Sequence, residues 1–134
     1  MQNYLQIVCP IKKLYVAIVH GNLEEKGTID LPICRKPGST IERMVRDDGD
    51  KAVTDFCVLR RSEKLSLVKL EIKIGRTHQI RVHLSHIGHP IIGDTLYGSD
   101  AFYIKRQALH AYRITFNHPF LNKCISYMHL CLRI

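Results

Sequence analysis

The chain has 134 residues, 46% of them apolar and 24% charged. This excludes a disordered chain and leaves room for one domain of roughly 100–150 residues. Lys and Arg number 20 against 12 Asp and Glu, a formal net charge of +8, which fits either a polyanionic partner or a surface kept basic for solubility. The longest clean apolar run, Leu14–Val19, is far short of the ~20 residues of a membrane-spanning helix. The opening MQNYLQIVCPIKK has neither the basic region nor the long apolar stretch of a signal peptide. Five cysteines, an odd number with no close pair, point to a reduced, cytoplasmic setting. Residues 76–134 carry seven basic and two acidic side chains and seven of the eight histidines, so a polyanion would meet the C-terminal part.

Leu14–Val19 reads as a mostly buried strand, closed by a turn at His20-Gly21-Asn22. Thr28–Ile33 is a short extended piece reaching its end at Pro32. Residues 35–51 are the least apolar stretch, contain Pro37, Gly38 and Gly49, and are expected to form an exposed loop. Val53–Leu59 reads as another strand. Ser66–Ile74 is the clearest one, with Leu70, Ile72 and Ile74 on one face and Lys69, Glu71 and Lys73 on the other. After Gly75 the period is ambiguous. Ile80, Val82 and Leu84 alternate like a strand, while Ile80, Leu84 and Ile87 fit a helix face. We take a helix over about Thr77–Ile87, with Thr77 as N-cap, Gly88 just past the end and Pro90 beyond. Strands are expected at His110–Phe116 and Ile125–Leu132, separated by Asn117-His118-Pro119. The sum is one α+β domain, mostly antiparallel β-sheet with few helices.

Residues 75–98 read GRTHQIRVHLSHIGHPIIGDTLYG, with two arginines, four histidines, four glycines and a proline in 24 residues. His83, His86 and His89 are spaced like metal ligands, but Gly88 and Pro90 interrupt the helix that would align them. No Cys-x-x-Cys accompanies them, so no metal is expected. Gly93-Asp94 and Tyr97-Gly98 read as turns, with Asp94 bonding local backbone N–H groups. Arg76 and His78, at the helix start, are candidates for a phosphate contact. On the strand pattern alone, Tyr15 is a tyrosine packed against the sheet and Arg81 a surface arginine.

The 75–98 string closely resembles the C-terminal motif of the RluA-type RNA pseudouridine synthases. The resemblance extends to KKLYVAIVHG (12–21), GTIDLPI (27–33), AVTDFCVL (52–59) and LHAYRITFNHPF (109–120), in the family's order. It implies cleavage of the C1′–N1 bond of a uridine in RNA, rotation of the uracil and rejoining through C5, with no cofactor or metal. It also implies site roles. Tyr15 matches the tyrosine that stacks on the flipped base. Arg81 matches the arginine that pairs with the catalytic aspartate. Arg76 and His78 lie where RNA would be bound. The implied partner is ribosomal RNA, with transfer RNA as the second choice, and no membrane.

The family's catalytic aspartate sits in a His-Arg-Leu-Asp segment upstream of the tyrosine strand. None of the seven aspartates here has that context, and none of the 14 residues before Tyr15 is acidic. A smaller departure is Ile74, where the family usually has threonine. The expectation is therefore a single incomplete catalytic domain over residues 1–134, the C-terminal half of a larger one. Such a chain should be inactive alone and should self-associate through unpaired sheet edges. The alternatives are an inactive RNA-binding module and a non-functional truncated remnant.

Overall fold

The computed structural model describes residues 11–129. Nine elements follow in chain order. They are β1 (Lys12–His20), β2 (Lys26–Asp30), β3 (Ile33–Arg35), β4 (Arg43–Val45), β5 (Val53–Arg61), β6 (Leu65–Ile72), α1 (Gln79–His86), β7 (Leu109–Asn117) and β8 (Cys124–Met128). Six strands form one sheet in the order β2-β5-β6-β1-β7-β8, and β3 and β4 form a separate two-stranded ribbon. Every strand pair is antiparallel. The expected architecture is therefore the observed one, with one helix among the described residues.

The period-2 segments behave as expected. In β6, Ser66, Val68, Leu70 and Ile72 are buried and alternate with half-exposed neighbours. Ile74, expected to share their face, is 69% exposed because β6 stops at Ile72. β1 lies centrally, paired with both β6 and β7, and buries Ala17 and Val19. The chain at Pro90–Ile92 then continues along the C-terminal end of β1, through Pro90 and Ile18 carbonyls that accept from His20 and Ile92. One face of the sheet is covered. Ile80 and Leu84 of α1 pack there with Val68, Leu70, Phe56 and Ile91. The distal hairpin β7–β8 is open to solvent, with Ile114, Phe120, Leu121, Tyr127 and Met128 exposed.

Three expectations need correction. The stretch 35–51 is not all loop, because Arg43–Val45 pairs with Ile33–Arg35. Three polar-flanked residues carry no periodic signal of their own. The extended piece Thr28–Ile33 is likewise split, β2 joining the large sheet and Ile33 the ribbon. The helix begins at Gln79, and His78 rather than Thr77 occupies the N-cap, with φ 56° and no side-chain cap. Its far end is as expected. Gly88 has φ 87°, its N–H bonds the Ser85 carbonyl, and the His89 N–H bonds the Leu84 carbonyl, the paired arrangement of a Schellman stop.

The strand expected at 125–132 runs over Cys124–Met128, and its last residues lie outside the described ones. Cys34 and Cys57 are free thiols. Among the described residues no helix is long and apolar enough to cross a membrane.

Candidate active site

α1 is fixed to the sheet by polar groups as well as by its apolar stripe. Gln79 donates through Nε2 to the Val53 carbonyl (2.8 Å) and to Thr54 Oγ1 (3.0 Å). His83, fully buried, must donate from Nε2 to the Leu31 carbonyl (2.8 Å), so its Nδ1 accepts from Thr54 Oγ1 (2.8 Å). Every polar atom of this buried set is partnered, so it costs no unsatisfied group and fixes one position for the helix. Burial holds the His83 imidazole below its ordinary pKa, consistent with the neutral form those bonds require.

The outer side of α1 presents Arg81. Its Nε and Nη2 donate to the two carboxylate oxygens of Asp94, both at 2.9 Å. Asp94 is almost completely buried, and the Arg81 side chain is 15% exposed. The Tyr97 ring lies under the guanidinium, 5.0 Å from Cζ to its centroid, a cation–π contact that also fixes the plane of the group. The Asp94 hydrogen bonds hold the guanidinium above its already high ordinary pKa. Among the described residues no buried side-chain nitrogen or oxygen lacks a partner. Arg81 is bonded through Nε and Nη2, so its Nη1 edge reaches the surface. The arrangement aims one free guanidinium edge outward from a fixed base.

Tyr97 extends the cluster. Its hydroxyl accepts the Arg43 N–H (3.0 Å) and donates to His78 Nδ1 (2.7 Å). Burial lowers the His78 pKa, helped by the charges of Arg81 and Arg43, so Nδ1 is free to accept. The left-handed backbone at His78, uncommon for a residue with a Cβ, is what turns the ring to Tyr97. Burial raises the Tyr97 phenol, so it remains protonated. Gly93 makes the turn that delivers Asp94. It has φ 79°, and a Cβ there would lie 2.0 Å from the Arg106 carbonyl oxygen, so no other residue fits.

Of the four residues singled out in the sequence, Arg81 and His78 thus share one cluster, through Tyr97. Tyr15 is apart but on the same face of the sheet. It pairs across with Leu70 on β6, which faces Phe56 on β5, and all three stand on the side that α1 covers. Two strand spacings separate β1 from β5, roughly 10 Å across the sheet. Tyr15 opens into a groove of 330 Å³ lined also by Lys13, Ala111, Arg113, Tyr127 and Met128. No hydrogen bond, ion pair or ring contact joins it to Arg81 among the described residues. Arg76 lies elsewhere, in the loop before α1. Its Nε donates to the Lys51 carbonyl (3.1 Å), and its N–H is capped by Gln79 Oε1 (2.9 Å).

Sequence reasoning missed Asp94 and Tyr97. Asp94 bonds Arg81 rather than local backbone, because the turn at Gly93 faces inward. The available signal was the presence of Gly-Asp and Tyr-Gly in the same string as Arg81. No group of three or more His, Cys, Asp or Glu side chains able to hold a metal occurs among the described residues.

Residues 8–86 match the family model described as RNA pseudouridylate synthase. The chain is 51% identical over 110 residues to the uncharacterized RNA pseudouridine synthase YjbO of Bacillus subtilis, covering 81% of this chain and 39% of that one. It is 39% identical over 123 residues to ribosomal large subunit pseudouridine synthase D of Xanthomonas campestris, covering 81% of this chain and 37% of the relative. Among solved structures, human RNA pseudouridylate synthase domain containing 1 superposes with a TM-score of 0.79 at 26% identity, over 90% of this chain and 55% of the human one. The chain therefore spans about two fifths of the length of these curated relatives. Motif string, sheet order and matched residues lead to one statement: this chain belongs to the RNA pseudouridylate synthase family.

Proposed function

We propose that this chain supplies the base-stacking and carboxylate-aiming side of an RNA pseudouridine synthase active site. The observation that carries the reading is Arg81, gripped side-on by Asp94 with its Nη1 edge left free. A second carboxylate can dock on that edge and stay ionised and oriented. That carboxylate is the catalytic aspartate, which must come from polypeptide outside these 134 residues. It acts at C1′ of the target uridine, as nucleophile or as the base that opens a glycal route. The freed uracil stacks on Tyr15 while it turns. On rejoining, C5 loses its proton and N1 gains one, so the reaction is an isomerisation and consumes nothing.

Arg76 and His78 are the RNA-facing pair in this proposal. Arg76 suits a phosphate. His78, held neutral and bonded to Tyr97, acts by keeping that ring under Arg81. The substrate we favour is ribosomal RNA, which the Xanthomonas relative's name specifies for that protein. A cytoplasmic setting follows from that substrate.

Release of tritium from 5-tritiated uridine in RNA tests the proposal. The 134-residue chain alone should release none. The same chain exchanged for the matching region of the Bacillus subtilis relative should release it. Turnover by the chain alone, or an inert chimera that is folded, contradicts the reading. The exposed apolar residues of β7–β8 and the outer edge of β2, unpaired among the described residues, further predict self-association of the isolated chain. A monomer at high concentration in size-exclusion chromatography would count against it.

A further inference from the structure

The β3–β4 ribbon carries a feature that the reaction does not use. Arg35 and Arg43 are direct cross-strand partners, so both side chains leave the ribbon on the same face. That face is the inner one. Two residues along, Ile33 and Val45 form the next facing pair and pack with Ala52, Val82 and Tyr97. Two like charges directly opposite each other are unfavourable in a sheet, and here Arg35 is exposed at the ribbon's end while Arg43 is half-buried.

They overhang a cleft of 380 Å³ whose other walls include Arg76, Thr77, Gly75 and Asp50. None of the three arginines has a carboxylate within ion-pair distance among the described residues. The neighbouring acids are engaged elsewhere, Glu42 with Lys36 and Asp48 with Arg46. Asp50, the one acid lining the cleft, exchanges both backbone bonds with Ile33, and its carboxylate lies beyond ion-pair distance of all three arginines. Two of the arginines are also tethered. The Arg43 backbone N–H is fixed on Tyr97 Oη while its Nη1 reaches the Glu42 carbonyl (3.4 Å), and Arg76 Nε donates to the Lys51 carbonyl. Three guanidinium groups without a carboxylate partner around one open cleft, that of Arg76 held through Nε, match an extended ligand bearing successive negative charges.

We infer that Arg35, Arg43 and Arg76 form a clamp for the phosphodiester backbone of RNA, adjoining the Arg81 cluster through the Arg43–Tyr97 bond. The inference rests on the proposed function for its choice of polyanion. The clamp positions the strand and carries no base specificity. Arg35 and Arg43 are its new members.

The test is binding of a labelled single-stranded RNA to the full 134-residue chain by fluorescence anisotropy across a range of potassium chloride concentrations. Each phosphate contact on a single strand contributes about 0.7 to the slope of log K against log salt. Replacing Arg35→Gln and Arg43→Gln together should weaken binding and make the slope shallower by about 1.4, equally for different RNA sequences. Arg35→Lys with Arg43→Lys keeps the charges and should restore most of the slope. This also separates lost contacts from a misfolded ribbon. Arg60→Gln with Arg61→Gln removes the same charge from the exposed far end of β5 and should leave the slope alone. An unchanged slope in the Arg35/Arg43 glutamine pair, an equal loss in the Arg60/Arg61 pair, or no binding by the wild-type chain overturns the clamp. Tritium release by the chimera keeps these failures distinct from failure of the proposed function, which would abolish release whatever the slopes.

Discussion

Two arginines in this molecule close side-on upon an aspartate, and the two pairs do different things. Arg81 and Asp94 meet between α1 and the turn at Gly93, 13 residues apart, with side chains 15% and 1% exposed. Arg46 and Asp48 meet two residues apart in the turn after β4, with side chains 45% and 65% exposed. The geometry is alike and the surroundings are not. In water a bidentate pair is screened and contributes little. Out of water each charge depends on the other, because removing one leaves the second desolvated and alone. The first pair is thus a structural commitment that fixes where the Arg81 guanidinium points. The second closes a local turn.

Breaking each pair is the sharpest way to test that contrast. Asp94→Ala should lower stability by about 3 kcal/mol, as expected when one partner of a buried pair is removed. For a domain of this size that is a fall in melting temperature on the order of 10 °C. Asp48→Ala should leave the melting temperature unchanged by the same calorimetric measurement. Equal effects would dissolve the distinction.

Acid should act on the α1 side next. Burial lowers the His83 and His78 pKa values in the folded chain, so the unfolded chain binds more protons as pH falls. Their contribution is intact above the ordinary histidine pKa of about 6.5 and is lost as pH falls through the depressed folded values. Urea midpoints should therefore drop between neutral pH and about pH 5. Replacing His83 by glutamine should flatten that drop while lowering stability at neutral pH. A midpoint that rises on acidification would contradict the neutral assignments.

The smallest effect is expected at Tyr97. Tyr97→Phe keeps the ring under Arg81 and removes the hydroxyl between Arg43 and His78. It should cost about 1 kcal/mol, measured by urea denaturation. In the chimera it should slow turnover less than Asp94→Ala does.

Much of this fold is legible in the sequence, and the parts that are not share a cause. β1, β5 and β6 announce themselves because half-buried strands write their burial into alternate residues, as Leu70 and Ile72 do. Gly88 marks the helix end because a left-handed stop suits glycine. The start of α1 is not legible. His78 is left-handed and meets Tyr97, 19 residues away, whereas local capping preference favours Thr77. β4 escaped for the same reason, since Arg43–Val45 is a strand through its partner and not through its own pattern. Tyr15 and Arg81 are singled out by resemblance, because periodicity assigns bland roles to both. Asp94 reads as a turn residue, because nothing local says that its turn faces Arg81. The +8 net charge pointed to the C-terminal part, whereas two of the three clamp arginines lie before residue 50.

The central claim is that Arg81, aimed by Asp94, serves the carboxylate that attacks the target uridine. Single-turnover tritium release by the chimera tests it most directly, comparing Arg81→Ala with the parent at saturating RNA. The account predicts a rate at least about a hundred-fold lower, the scale on which a preorganised charge partner acts in a transition state, with RNA affinity retained. A variant that turns over at the parent's rate would contradict it.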